Sequence, residues 1–285
     1  MSTIKIYKPT TPARRKTSTI DFKKILTGDK PYKKLIVRKS RTGGRNNRGV
    51  ITTRHIGGGA RKMVRMVDYK NNFSEKGFKV NTIEYDPGRT AFVCLVTDLA
   101  NGSKRYILHT KGIVVGKVYG TGKDLDKGTP VKLSDAPIAA QVSQIELRPG
   151  QGAKVIRSAG VYGTIITKDE DFVSIKMPSG EVRRFASSCR CVIGQVGNDA
   201  WEQVRLGSAG RNRRFGVRPT VRGKVMNPVD HPHGGGEARN SIGMKAPKTP
   251  WGKPANGVKT RPRKKTSNAL IISRRPRGRF VGGKK

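Results

Sequence analysis

The chain has 285 residues, with 60 Lys and Arg against 19 Asp and Glu, for a formal net charge of +41. Hydrophobic residues make up only 34%, so the length supports one or two modest cores and leaves long stretches without one. Charge of this size opposes compaction unless an anionic partner neutralises it, which excludes an ordinary metabolic enzyme as the starting assumption. No apolar stretch approaches the ~20 residues that span a bilayer. The segment Met1–Lys16 has no apolar core like that of a signal peptide, so nothing in it suggests secretion. Three cysteines, Cys94, Cys189 and Cys191, cannot form a disulfide framework and read as reduced thiols, as expected of a cytoplasmic protein.

The charge is unevenly placed. Residues 1–65 carry 19 basic and 2 acidic side chains, residues 66–200 carry 19 and 14, and residues 201–285 carry 22 and 3. A nearly balanced centre is thus flanked by two basic arms. The expected organisation is a basic N-terminal extension over 1–74, a first β-barrel over 75–128, a second over 129–200, and a basic C-terminal extension over 201–285. In the first arm, Arg41-Thr-Gly-Gly-Arg-Asn-Asn-Arg48 and Arg54-His-Ile-Gly-Gly-Gly-Ala-Arg61 mix Arg with Gly and show no apolar period. In the last arm, eight prolines from Pro219 to Pro276 block long helices. Such segments bury too little apolar surface to offset their ordering entropy and are expected to fold against a partner. A polyanion fits this texture. A membrane surface does not, because the arms carry no amphipathic helix with an aromatic or Leu face.

From about Lys79 the pattern turns to short β-type runs closed by turn residues. Val80–Tyr85 leads into the turn Asp86-Pro-Gly-Arg89, and Ala91–Val96 is a continuous apolar run, as expected of a strand buried on both faces. Asn101-Gly102 is a hairpin signal, Lys104–Leu108 its return strand, and Gly112–Tyr119 a further Val-rich run, which together predict an antiparallel barrel of about five strands. After Pro130, the runs 154–158, 162–168, 172–177, 181–185 and 191–195 suit an SH3-like barrel. Asn198 is expected to cap a short helix through Leu206. Two small barrels in tandem offer no deep pocket and point away from catalysis.

Three motifs invite chemistry. Gly122-Lys123 fails as a phosphate loop, since Lys117 and Asp124 stand where that motif needs Gly and Ser or Thr. Cys189-x-Cys191 with His231-x-His233 has one-residue spacings, against the two to four of most structural zinc sites, so no metal or other cofactor is expected. The stretch Gly216–Glu237 combines Gly, Pro and phosphate donors, and three consecutive glycines let a main chain approach RNA without a Cβ between them. His231 is a candidate general base there. The preferred reading is that both histidines hydrogen-bond and stack within packed RNA.

The same residues carry a resemblance. Gly216-Val-Arg-Pro-Thr-Val-Arg-Gly223 and Asn227-Pro-Val-Asp-His-Pro-His-Gly-Gly-Gly-Glu237 closely resemble the signature of the large-subunit ribosomal protein two family, in its bacterial-type form. So do Gly43-Gly-Arg-Asn-Asn47, Thr52-Thr-Arg-His-Ile-Gly-Gly-Gly59, Glu84-Tyr-Asp-Pro87, Arg105-Tyr-Ile-Leu108 and Gly194-Gln-Val-Gly-Asn198. The chain departs from the pattern at Ala60-Arg61-Lys62, where the family usually has His after the glycines. The resemblance implies a mainly β fold, with an oligonucleotide-binding (OB) type barrel followed by an SH3-like barrel and long basic irregular extensions. It implies a structural, primary binder of large-subunit rRNA that supports subunit association, tRNA binding and the peptidyl transferase region. Its partners would be large-subunit rRNA, small-subunit rRNA across the intersubunit bridge, and other ribosomal proteins. A peptidyl transferase role for His231 is considered and disfavoured.

The candidate RNA contacts follow from residue type. Arg41, Arg45, Arg48, Arg54 and Arg61 in the first arm, and Arg211, Arg213, Arg214, Arg218, Arg222, Lys264 and Lys265 in the last, can donate hydrogen bonds to phosphate. Gly43, Gly44, Gly57, Gly58 and Gly59, with Gly234, Gly235 and Gly236, would allow close backbone approach. Asn46, Asn47, His55, Asn227, His231 and His233 can donate and accept. Two further readings compete with a structural role: an enzyme using His231 in peptide bond formation, and a free nucleic-acid-binding regulator built on the SH3-like module.

Overall fold

Runs rich in Val, Ile and Phe that end in Gly, Pro and Asn-Gly turns predispose a chain to short antiparallel ladders. The computed structural model describes residues 3–28, 30–73, 76–120, 125–237 and 239–275. Within them the chain gathers into two units. One, the body, is drawn from Met1–Ser40, Ala60–Arg211 and Ala269–Pro276; the other, the arm unit, from Arg41–Gly59 and Asn212–Asn268.

The body begins with a hairpin of β1 (Ile4–Ile6) and β2 (Ser18–Ile20), interrupted by the short helix α1 (Pro12–Arg15). Next, β3 (Ile36–Arg38) pairs with β4 (Met63–Arg65). Both pairs fall where charge alone reads an irregular extension over 1–74. The difference has a simple cause: a few apolar side chains among the lysines find the sheet beside them. Ile20 and Phe73 are buried with Phe78 and Phe92, while Tyr32, Leu35, Val67 and Tyr69 pack against the cluster containing Tyr106 and Leu108.

β5 (Phe78–Glu84), β6 (Val93–Asp98), β7 (Lys104–Leu108) and β8 (Val118–Tyr119) form one antiparallel sheet in the order β7-β6-β5-β8. The central strand β6 explains its own sequence. Cys94 and Val96 feed the cluster around Phe78, and Val93 and Leu95 feed the cluster around Tyr106, so no position can be polar until Thr97. The sheet has four strands, not about five, because Gly112 and Gly116 take φ of 98° and 86° and break the Val-rich run until Val118. Tyr106 donates to the Glu84 carboxylate at 2.7 Å and accepts from the Tyr32 amide at 2.7 Å, tying the N-terminal segment to the sheet.

The second sheet holds β9 (Pro130–Lys132), β10 (Gln141–Ser143), β13 (Gly163–Lys168), β14 (Phe172–Lys176), β15 (Val182–Ala186), β16 (Arg190–Ile193) and β17 (Ile271–Ser273), in the order β17-β15-β14-β13-β10-β16-β9. The pair β11 (Ile145–Glu146) and β12 (Ala153–Val155) stands beside it. Leu133, Val142, Ile165, Ile175 and Phe185 fill its core with Cys189 and Cys191. The fold is thus mostly β, as expected. The last strand is unexpected: Ile271–Ser273, read as part of the C-terminal extension, adds to β15 by pairing Val182 with Ser273. Asn198 also departs from expectation. It takes a left-handed φ of 65° and makes no cap; its amide donates to the Thr90 carbonyl at 2.6 Å, and only a 3-10 turn, Asp199–Gln203, follows.

Candidate nucleic-acid interface

In the arm unit, the first Gly-rich segment folds on itself. Gly44 accepts from the Thr52 and Thr53 amides at 3.0 and 3.1 Å, and the Asn46 side chain accepts from the Arg48 and Val50 amides at 3.0 and 3.1 Å. A Cβ on Gly44 would fall 2.1 Å from the Thr53 carbonyl oxygen, so Gly44 is required by the loop itself. The second segment docks on the chain after helix α2 (Ala209–Arg214). The Gly57 amide donates to Gly216 at 2.9 Å, the Arg218 amide donates to His55 at 2.9 Å, and Ile56 bridges Val217. Gly59 would collide with Gly216 at 2.9 Å. Gly58 differs, because its nearest neighbour would be the Arg213 guanidinium at 3.8 Å. Of these three glycines it is the one left open to an outside surface.

The histidine loop is built the same way. The Asn227 carbonyl accepts from the Asp230 and His231 amides, and the Gly235 amide donates to Met226 at 3.0 Å. Side chains on Gly234 and Gly236 would meet Asn227 at 2.2 Å and Asn240 at 1.8 Å, and one on Gly235 would meet Pro228 at 2.9 Å. The three glycines therefore serve packing within the loop before any approach to RNA. His231 is buried, with Gly223 against its ring, and its Nδ1 accepts from the His233 amide at 3.0 Å. His233 in turn accepts from the Lys248 amide at Nε2, at 2.8 Å. Both imidazoles are thus engaged as acceptors of backbone amides, a use that the sequence did not distinguish from contact with RNA.

The cations are disposed differently. Arg41, Arg45, Arg48, Arg54, Arg213, Arg214, Arg218, Arg222, Lys264 and Lys265 are exposed, as is Arg61 of the body, and so are Asn47 and Asn227. Lys264 and Lys265 stand on a turn pinned by Arg261, which donates to Asn268 at 2.6 Å and Ser267 at 2.7 Å. Among the described residues, none of these cations lies within ion-pair distance of a carboxylate; the ion pairs present belong to the body. Arg211 is the exception in exposure. It is half-buried in the body, with its guanidinium 5.8 Å from the Tyr7 ring, and a hydrogen bond with Thr19, helped by Arg211, lowers the Tyr7 phenol pKa.

The body adds basic surface that the near-neutral charge of residues 66–200 conceals. Arg157 and Arg89 lie 4.7 and 5.8 Å from the ring of Tyr69, and Arg89 is anchored to Asp86 at 2.6 Å. Lys70, Lys132 and Arg190 line a cleft beside Glu146, whose buried carboxylate accepts from the Gly150, Gly152 and Arg190 amides at 3.2, 2.8 and 3.0 Å. Only folding gathers these cations from distant positions.

The cysteines belong to the cores. Burial raises the Cys189 thiol to about 11 and pushes those of Cys94 and Cys191 higher still, so all three stay protonated. Among the described residues, no group of three or more His, Cys, Asp and Glu is placed to hold a metal ion. Gly122 and Lys123 lie outside the described residues. No helix among the described residues is long and apolar enough to cross a membrane.

Comparison with known families agrees with this construction. Residues 32–120 match the model described as the RNA-binding N-terminal domain of ribosomal proteins L2, and residues 126–252 match that of their C-terminal domain. The first match takes in both glycine-rich segments and the four-stranded sheet; the second takes in most of the seven-stranded sheet and the histidine loop. The chain belongs to the ribosomal protein L2 family, RNA-binding proteins of the large ribosomal subunit.

Proposed function

We propose that this protein holds rRNA in shape within the large subunit and moves no protons in peptide bond formation. The body docks the RNA, the arm unit threads between its helices toward the peptidyl transferase region, and the particle so ordered can bind tRNA and join the small subunit through an rRNA contact. The observation that carries this reading is the contrast in the arm unit, among the described residues, between cations that have no carboxylate partner and an engaged His231. Exposed guanidinium and ammonium groups without carboxylate partners suit phosphates. A general base needs a free lone pair within reach of the reacting amine. In His231 the Nδ1 lone pair receives the His233 amide, which leaves the proton of the neutral ring on Nε2.

The test is single-turnover peptide bond formation on purified, assembled particles. His231→Asn keeps an acceptor where Nδ1 stands and is expected to assemble and react at nearly the parent rate. His231→Ala loses that acceptor and is expected to impair assembly or subunit joining first. A hundredfold or greater loss in assembled His231→Asn particles, with the rate no longer responding to pH near 6–7 where imidazole titrates, would establish the catalytic reading instead.

A further inference from the structure

Trp251 is one of two tryptophans in the chain, and it is 72% exposed. It does not dangle. It sits at the tip of a hairpin in which the Gly252 amide donates to Thr249 at 2.9 Å, the Thr249 amide to Lys253 at 2.7 Å and the Ala255 amide to Pro247 at 2.8 Å. Pro250 precedes the indole and Gly252 follows it with φ of 76°, a turn with little freedom to fold the ring away. The base of the hairpin is fastened to the histidine loop through the bond from the Lys248 amide to His233. The Arg54 guanidinium stands 5.2 Å from the ring centroid and covers one side of it.

An indole presented at the tip of a hydrogen-bonded hairpin and left in water suits a partner that is planar and apolar on its face. The partner must also be anionic, because residues 41–59 and 212–268 carry 18 basic and 2 acidic side chains. An unpaired nucleotide combines a π-face with a phosphate, whereas an acidic protein segment satisfies the charge but not the ring. We infer that Trp251, backed by Arg54, is a stacking platform for one unpaired RNA base. The inference rests on the RNA-binding reading above and adds the form of the ligand: a splayed single-stranded base, not duplex backbone.

The test uses the full chain with Trp201→Phe, so that Trp251 is the only emitting indole. It is titrated with a short unstructured RNA strand, the matching duplex, inorganic polyphosphate and an acidic peptide, at salt high enough to suppress purely ionic binding. The strand alone is expected to quench Trp251. Trp251→Ala is expected to weaken strand binding roughly 5- to 150-fold, the range for losing one base–aromatic stack, and Trp251→Phe to retain most of it. Equal quenching by all anions, quenching by the peptide alone, or an unchanged strand affinity in Trp251→Ala would overturn the platform while leaving RNA binding intact. Failure of the parent chain to bind any RNA would instead remove the broader reading, and the platform with it.

Discussion

The body and the arm unit are held together by different physics. The body buries three apolar clusters, two of them sharing strand β6. In the arm unit, among the described residues, only Gly44 and His231 are buried. It is organised by amide–carbonyl bonds, by Asn46, Asn240 and the two histidines, and by glycines that let backbone touch backbone. Such bonds contribute only ~0.5–1.5 kcal/mol each in net terms, against ~1–2 kcal/mol of backbone entropy per residue ordered. An arm with no apolar core among its described residues and many cations without carboxylate partners is therefore expected to complete its folding on RNA, whereas the body is expected to fold without it.

The largest expected effect breaks or keeps that contrast directly. In hydrogen exchange on the free full-length chain, amides of β5, β6 and β14 should outlast those of 44–53 and 223–240 by on the order of 10³-fold, and added rRNA should protect the slack segments. Equal protection without RNA would mean that the arm is a domain as well.

Core substitutions sharpen it. Phe78, fully buried, should cost about 3–5 kcal/mol as Phe78→Ala in urea unfolding. Val258 in the arm is 54% exposed, and Val258→Ala should stay within ~0.5 kcal/mol. A comparable loss at the two positions would contradict the division.

The body also has a pH dependence of its own. Burial lowers the His109 pKa to about 4, and its Nδ1 has no hydrogen-bond partner. The folded state therefore favours the neutral ring. Stability is complete above the unfolded-state pKa near 6.5 and falls as pH drops from there to about 4, by up to ~3 kcal/mol. Urea midpoints measured across that window should slope less in His109→Gln. An unchanged slope would show that other groups carry the acid sensitivity.

Within the arm, glycines should sort by what lies beside them. Gly234→Ala, facing the Asn227 carbonyl at 2.2 Å, should disrupt the histidine loop and weaken rRNA binding more than Gly58→Ala, which meets only the Arg213 guanidinium at 3.8 Å and bears mainly the ~1–2 kcal/mol cost of a positive φ. Filter binding of both variants decides it, and the reverse order would mean that RNA approach at Gly58 dominates. The smallest effect is electrostatic. Each of Arg41→Gln, Arg45→Gln, Arg48→Gln and Lys264→Gln should lower the log–log salt slope of binding by ~0.7–0.9 if its cation meets a phosphate. An unchanged slope would remove that residue from the interface.

Much of the body could be read from the chain. Ala91–Val96 was an unbroken apolar run because β6 faces two cores, and the turns at Asp86–Arg89 and Asn101-Gly102 bounded real strands. Ile20, Tyr32 and Leu35 could not be assigned to a core, since isolated apolar residues among lysines carry no period. The short β17 segment was equally silent, because a three-residue strand takes its identity from the β15 edge that it meets. Asn198 looked like a cap by residue type, yet its backbone is left-handed and its amide is needed by Thr90.

For the site, charge partition and the motifs around the glycines and histidines were enough to indicate an RNA-binding ribosomal protein. Composition acts at long range and needs no coordinates: forty-one uncompensated charges demand a polyanion however the chain folds. What each motif residue touches within the chain was decided only in three dimensions. A glycine looks the same in sequence whether its absent Cβ makes room for the chain's own carbonyl, as at Gly44 and Gly234, or leaves an open face, as at Gly58. A histidine likewise spells the same whether its lone pair awaits a substrate or already holds a backbone amide, as His231 does. Those distinctions rest on contacts of a few ångströms between residues distant or looped in the chain, and only the folded backbone sets them.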